Sequence, residues 1–179
     1  MTGSTTPTPK ASGTSAKRDA HRRAARLGAV QALYQIAIGG ATPEVVRSEF
    51  LEQWLDEEIE GLSLSTADRD LFDRLVMGVS DETENLDNML TAVLAEKWPV
   101  ERLETLLKMI LRAGAYELGH WQDVPAQVVI SQYVDLAHAF YDGKQPGMAN
   151  GVLDRLARLL RPEEFGGEGF GDTVIPEAG

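Results

Sequence analysis

Cysteine is absent from the 179-residue sequence. Its absence excludes disulfides, thiolate catalysis and cysteine-ligated metal sites. No apolar run approaches the roughly 18 residues that a helix needs to cross a membrane, and the N-terminal residues lack the apolar stretch of a secretory signal. A cytoplasmic protein without membrane contact is therefore the simplest interpretation.

Sequence signatures of catalysis are missing as well. No glycine-rich phosphate loop stands between a strand and a helix, and no nucleophile elbow occurs. The three histidines, His21, His120 and His138, do not have the spacing of a close pair of metal ligands. We expect a protein that is not an enzyme and that needs no cofactor or metal.

Positive charge is scarce and unevenly distributed. The chain has a net charge of −11, yet the residues through Arg26 contain six Lys and Arg and one Asp. This segment therefore carries +5 and the remainder of the chain −16. A basic cluster in an acidic chain favours a local surface for a polyanion.

The arginines of this cluster follow helical spacing. Arg22 and Arg23 precede Arg26 by four and three residues, so a helix presents all three on one face, with Lys17 and Arg18 near the preceding turn. Arginine-rich helix ends bind RNA because the guanidinium group grips phosphate and stacks on unpaired bases. The alternative is a solvated face paired with acidic neighbours, which is less favoured because the cluster holds a single aspartate.

The central part of the chain has the apolar periodicity of helices and no convincing β-alternation. A first helix is expected over 18–38, and a second begins with Thr42 as its N-cap. A long third helix is expected from near Ser65 to Trp98, either continuous or broken near Ser80. Three further helices follow, of which the first ends near residue 119, the second opens at residue 125 and the third ends near residue 160.

These helices predict an all-α fold, a compact bundle of about six to seven helices over 18–162. Residues 1–17 are expected to form a disordered tail, and 163–179 an acidic, glycine-rich tail. Five carboxylates of the second tail could compete with RNA for the arginine helix, although a purely solubilising tail is favoured. The apolar stripes assign Ile38, Trp54 and Phe140 to the core.

Three other features allow two interpretations each. Tyr34 is either a core tyrosine or a partner contact at the rim of the basic surface. Lys144 and Gln145 lie in a loop that either is a plain turn or reaches a nucleic-acid backbone. The acidic residues from Asp81 to Asp87 form a solvated face or, less favoured, a site for a basic partner.

Four segments resemble the NusB family in their order and spacing. The resemblance covers nearly everything from about Asp19 to Pro162, and the two termini lie outside it. The segments are RRAARLGAVQALYQ at 22–35, ILRAGAYEL at 110–118, DVPAQVVISQYVDLAHAF at 123–140 and NGVLDRLA at 150–157.

The resemblance implies an all-helical bundle of two packed halves. It also implies binding of boxA, a short single-stranded RNA element in nascent ribosomal transcripts, together with the ribosomal protein NusE. The resulting complex supports antitermination by RNA polymerase. The arginine-rich helix start of the family falls on Arg22, Arg23 and Arg26, and its partner-facing tyrosine falls on Tyr34.

The chain also departs from the family pattern. Ala24 stands where the family has a further arginine, and Met148 replaces an aromatic residue that could stack on RNA bases. Leu107 and Lys144 stand where some members have acidic residues associated with the NusE interface. RNA contact through the arginines therefore carries over better than a NusE salt bridge.

The candidate site residues follow from the pattern and the resemblance together. The predicted RNA-binding residues are Lys17, Arg18, Arg22, Arg23, Arg26, Lys144 and Gln145. The predicted partner-binding residues are Tyr34, Leu107 and Met148. A rival interpretation is a non-catalytic helical scaffold that binds protein only, or self-associates as a homodimer, and does not bind RNA.

Overall fold

The computed structural model describes residues 12–53, 58–59, 62–63 and 68–166. Its architecture confirms the expected all-α bundle, and none of the helices it describes is long and apolar enough to cross a membrane. The α-helices are α1 (Ser12–Gly39), α2 (Pro43–Gln53), α3 (Arg69–Asp81), α4 (Thr83–Val93), α5 (Thr105–His120), α6 (Ala126–Phe140) and α7 (Gln145–Leu160).

Three short elements accompany these helices. Strands β1 (Glu58–Ile59) and β2 (Leu62–Ser63) form a two-residue antiparallel ladder that the sequence pattern did not predict. Short 3-10 helices occupy Val100–Arg102 before α5 and Pro162–Phe165 after α7. They matter to the site because the first borders a groove and the second fixes the end of the described chain.

Helix α1 begins at Ser12, six residues before the predicted start at Arg18. It therefore takes in part of the segment that was expected to be a disordered tail, while residues 1–11 lie outside the described residues. Ala16, Lys17 and Arg18 are strong helix formers, which favours this extension. Helix α1 consequently extends on both sides of the basic residues.

The long third helix of the prediction is divided into α3 and α4 at Glu82, whose backbone leaves helical geometry at φ −105° and ψ 18°. Hydroxyl groups bond back to carbonyls at this break, because Ser80 donates to Val76 at 2.7 Å and Thr83 donates to Val79 at 2.9 Å. The helix also begins later than the predicted start near Ser65, at Arg69. Asp68 is the N-cap and its carboxylate accepts from Leu71 N–H at 3.1 Å, whereas Ser65 lies outside the described residues.

Two of the predicted core positions are wrong. Ile38 is 62% exposed and Phe140 is 37% exposed. Both lie in the last turn of their helices, where apolar periodicity no longer guarantees a packing partner. Trp54, the third of these residues, lies outside the described residues.

Helix α5 is the centre of the bundle, packed against α1, α3, α4, α6 and α7. Small residues let its neighbours approach closely. A Cβ atom added at Gly114 would meet the Leu153 side chain of α7 at 2.9 Å, so an alanine here would force that side chain to shift. The buried residues of α5 are Leu107, Met109, Ile110, Leu111, Ala113, Gly114, Ala115, Glu117 and Leu118.

Arg161, just after α7, caps the C-terminal end of α5 with its side chain. Its side chain has no solvent exposure, and its guanidinium group donates to the carbonyl oxygens of Leu118 at 2.8 Å, Trp121 at 2.6 Å and Val124 at 2.5 Å. The last carbonyls of a helix lack partners within the helix. Arg161 supplies these partners and holds the cation at the negative end of the α5 dipole.

Glu164 extends this contact to α6. One carboxylate oxygen accepts from Arg161 at 3.1 Å, and the other accepts from the backbone N–H of Ala126 at 2.7 Å. The pKa of Glu164 is lowered chiefly by the Ala126 hydrogen bond, which outweighs burial, with Arg161 adding to the effect. The predicted tail thus begins with four residues that are part of the described fold, through Gly166.

We expect Arg161→Lys to lower the free energy of unfolding by about 2–4 kcal/mol. A single ammonium group cannot reach all the carbonyls, and each buried polar group left unpaired costs about 1–3 kcal/mol. Urea denaturation measures the change. Arg158→Lys is the matched control, because Arg158 forms an exposed pair with Asp154 at 2.9 Å and its loss should cost less than about 1 kcal/mol. Equal losses in the two variants would contradict this role of Arg161.

We expect the contribution of Glu164 to stability to depend on pH. Its folded pKa lies below the ordinary value of about 4.3, so the contribution is present above that value and is lost as pH falls through the folded pKa. Glu164→Gln should lower the Tm by about 1–3 °C at pH 7, and this difference should shrink below about pH 4. Thermal unfolding from pH 7 to pH 3, with the exposed Glu163→Gln as control, tests this; a difference that stays constant to pH 3 would refute it.

Candidate nucleic-acid and partner interface

The first turns of α1 present cations to solvent. Lys17 and Arg18 are exposed, Arg23 is half-exposed and Arg22 is partly exposed, while Ala24 and the residues that follow it are buried. Here α1 leaves the surface and enters the bundle. Four of the predicted RNA-binding residues therefore share one accessible end of the helix.

Acidic residues from other elements reach this surface. Arg22 Nε lies 4.0 Å from a carboxylate oxygen of Asp68 before α3, and Arg23 lies 3.9 Å from Asp135 on α6. The local sequence shows only Asp19, so these two partners could not be read from it. Both pairs are long and their side chains are 32% to 53% exposed, and such pairs contribute less than about 1 kcal/mol. Neither carboxylate therefore holds its arginine tightly.

The structure corrects the prediction for Arg26. Its side chain is 3% exposed, and it points into the bundle rather than toward solvent. Nε and Nη2 donate to the two carboxylate oxygens of Glu117 on α5, at 2.9 Å and 2.5 Å. Arg26 therefore does not share the accessible face of Arg22 and Arg23, because the helix turns it toward α5.

A buried tyrosine completes this ion pair. Tyr133 of α6, with no exposure, donates its hydroxyl to Glu117 at 2.8 Å. Burial raises the pKa of Tyr133 well above its ordinary value, and the charge of Glu117 raises it further. Burial alone would lower the pKa of Arg26, but its hydrogen bond and charge interaction with Glu117 outweigh burial and raise it. Arg26 therefore keeps its charge inside the protein.

Sequence reasoning missed Glu117, although a signal for it was present. The residue stands in an apolar stripe of α5 between Ala115 and Leu118, where an unpaired carboxylate would be costly. An acid at such a position requires a buried donor. The sequence does not show that the donor comes from α1.

Four of the other predicted site residues, from α5, α7 and the loop before α7, line a groove of about 610 Å³. Leu107 forms part of its wall and is buried, Met148 is partly buried, Lys144 is exposed and Gln145 lies at the start of α7. Leu107, which was predicted to bind a partner, thus lines the groove as a buried side chain. Its burial follows from the packing of the first turn of α5 against the bundle.

Apolar and cationic side chains both line the groove. Arg102, Lys144 and Arg155 line it alongside a single acid, Glu104. Glu104 is engaged within the protein, since it caps α5 by accepting from Leu106 and Leu107 N–H at 3.3 Å and 3.4 Å. The groove is therefore positive in a chain whose net charge is −11.

Trp98 is the aromatic residue of this groove. It lies between α4 and the 3-10 helix at Val100–Arg102 and is 52% exposed. The sequence pattern placed Trp98 only at a helix end and gave it no binding role. Tyr34, by contrast, is partly buried against the core and is not among the residues lining the groove.

Comparison with known proteins gives a single family. The family model described as NusB family matches residues 23–158. A curated relative from Rhodopseudomonas palustris strain BisB18, named transcription antitermination protein NusB, is 46% identical over 149 residues, which cover 83% of this chain and 88% of the relative.

Solved structures share the fold. A structure described as T. maritima NusB is 27% identical with a TM-score of 0.66, covering 80% of this chain and 96% of that one. Another, described as antitermination factors NusB and NusE in complex with dsRNA, is 23% identical with a TM-score of 0.64, covering 78% and 97%. At that identity the second likeness concerns the fold alone.

Proposed function

The chain belongs to the NusB family of transcription antitermination proteins, and from this we propose that it binds boxA-type single-stranded RNA in nascent ribosomal transcripts together with NusE. In this role it supports processive transcription by RNA polymerase in the cytoplasm and has no catalytic step of its own. The observation that carries the proposal is the accessible cationic end of α1 in an otherwise acidic protein.

The geometry of α1 suits a flexible RNA strand. Lys17, Arg18, Arg22 and Arg23 stand on two successive turns, and the last two have only long carboxylate contacts. Phosphates bound here would replace weak ion pairs rather than break buried ones. Guanidinium groups also stack on the unpaired bases that single strands offer.

The groove is a second RNA surface in this proposal. Lys144 and Gln145 contribute polar groups at the start of α7, and Trp98 offers an exposed aromatic face. Single-stranded nucleic acids are commonly bound by a positive groove with an aromatic side chain on which a base stacks. Trp98 can thereby supply the stacking surface that Met148 does not.

In this proposal the apolar residues of the site contact NusE. Met148 and the partly buried Tyr34 offer apolar surface next to polar groups, with Leu107 supporting the floor beneath Met148. Such mixed surfaces are typical of protein interfaces. A structure described as NusB and NusE in complex with dsRNA supports the idea that a relative binds both partners.

The rival scaffold interpretation has less support. It requires the basic helix of one copy to meet the acidic residues 81–87 of another. Asp87 is already paired with Arg112 at 2.8 Å and 2.7 Å, and Glu82 lies 3.1 Å from His120. Light scattering with and without boxA RNA separates the two functions, because a homodimer indifferent to RNA would support the scaffold.

We expect RNA affinity to fall with salt, with a slope of roughly −3 in a plot of log affinity against log salt concentration. About four cations of α1 each neutralise a phosphate, and each neutralised phosphate of a single strand contributes about −0.7 to this slope through counterion release. Arg22→Gln/Arg23→Gln should weaken boxA binding and flatten the slope by about 1.4. Fluorescence anisotropy at several salt concentrations measures both quantities. Asp135→Asn is the control of opposite sign, since removing the acid beside Arg23 should strengthen binding at low salt. No boxA binding by the wild type, with or without NusE, would refute the proposed function.

We expect Trp98→Leu to weaken RNA binding by roughly fivefold or more, because base–aromatic stacking contributes about 1–3 kcal/mol. Trp98→Phe keeps an aromatic face and should retain most of the affinity. Met148→Lys should instead weaken NusE binding and spare binding of RNA alone. Titrations with RNA and with NusE separately measure the two effects, and loss of NusE binding in Trp98→Leu with unchanged RNA affinity would reverse the assignment.

A further inference from the structure

Arg26, Glu117 and Tyr133 join three helices at one buried point. The exposed fractions of Arg26 and Glu117 are 3% and 1%, and Tyr133 has none. RNA cannot reach these groups while the bundle is intact. Arg26 nevertheless follows Arg22 and Arg23 by about one helical turn of α1.

The contact between Arg26 and Glu117 constrains the rotation of α1 about its own axis. One residue along a helix corresponds to a rotation of about 100°, so a slip by one residue would turn Arg26 away from Glu117. The buried apolar face of α1 in this region combines four alanines with Leu27, Val30 and Leu33. The alanines add little shape that specifies one rotation, whereas a two-oxygen contact with a planar guanidinium group is directional.

We propose that Arg26 is a positioning residue, which sets the rotation of α1 through Glu117 and Tyr133 and thereby aims Arg22 and Arg23 at RNA. This inference rests on the proposed function. It separates the three arginines into two that bind and one that orients. A carboxylate of α5 that never touches RNA then governs RNA affinity.

Three substitutions test the inference by RNA titration. Glu117→Gln removes the charge but keeps an oxygen for Tyr133, and Arg26→Lys keeps the charge but loses the planar fork; Tyr133→Phe is a milder change that removes one hydroxyl. We expect the first two to weaken boxA binding by roughly tenfold, as for residues coupled in one network. If Arg26 bound phosphate directly, Glu117→Gln would leave binding unchanged or strengthen it, because the competing carboxylate would be gone.

The matched control is Arg112→Lys. Arg112 also donates twice to a single carboxylate, that of Asp87, but it joins α5 to α4 rather than to α1. We expect RNA affinity to be unchanged in this variant. Circular dichroism at the assay temperature selects the variants that are folded, and Tyr133→Phe serves if either stronger variant unfolds.

A distance measurement reads the position of α1 without RNA. The chain has no cysteine, so Asp19→Cys/His138→Cys places two spin labels on exposed sites of α1 and α6. Pulsed electron resonance should give a narrow distance distribution, and adding Arg26→Lys or Glu117→Gln should broaden or shift it. An unchanged distribution would overturn the positioning role.

The two readouts separate the inference from the function beneath it. A broadened distribution with weaker RNA binding supports the inference, whereas a broadened distribution with unchanged RNA affinity overturns it. If the wild type binds no boxA RNA, the proposed function fails. The distance distributions then still decide whether Arg26 fixes α1.

Discussion

Helix α5 is enclosed by five other helices, so its polar groups must find partners inside the protein. Two arginines from distant parts of the chain meet this requirement. Arg26 of α1 takes the carboxylate of Glu117, and Arg161 after α7 takes the carbonyls at the C-terminal end of the helix. The first and last helices of the bundle are thereby tied to the same central element. Because a buried charge without its partner is strongly destabilising, neither arginine can be treated as a surface residue.

The exposed cations of α1 differ from these two buried arginines because their ion pairs are weak. Arg22 and Arg23 each lie about 4 Å from a carboxylate that is itself accessible to solvent. Screening by water and salt keeps such pairs exchangeable. Neighbouring arginines on one helix therefore differ in their surroundings: Arg22 and Arg23 form long, partly exposed ion pairs, whereas Arg26 forms a short, buried one.

The sequence predicted the helices well and their ends less well. Periodicity along α5, α6 and α7 is strong because each buries a wide apolar face, and the bundle follows from that pattern. The break at Glu82 was expected only as one of two outcomes, since continuous and broken helices share the same apolar stripe. Ile38 and Phe140 were assigned to the core because periodicity does not record where a neighbouring helix stops.

The fold class, the family resemblance and the basic character of the start of α1 could all be predicted from the amino-acid sequence, because they depend on composition and local spacing. The sequence also shows Lys144 and Met148 close together along the chain. It does not show that Arg26 is buried, that Asp68 and Asp135 approach the other arginines, or that Trp98 shares a groove with Lys144. These features depend on residues far apart in sequence, and they exist because packing of the helices brings those residues together.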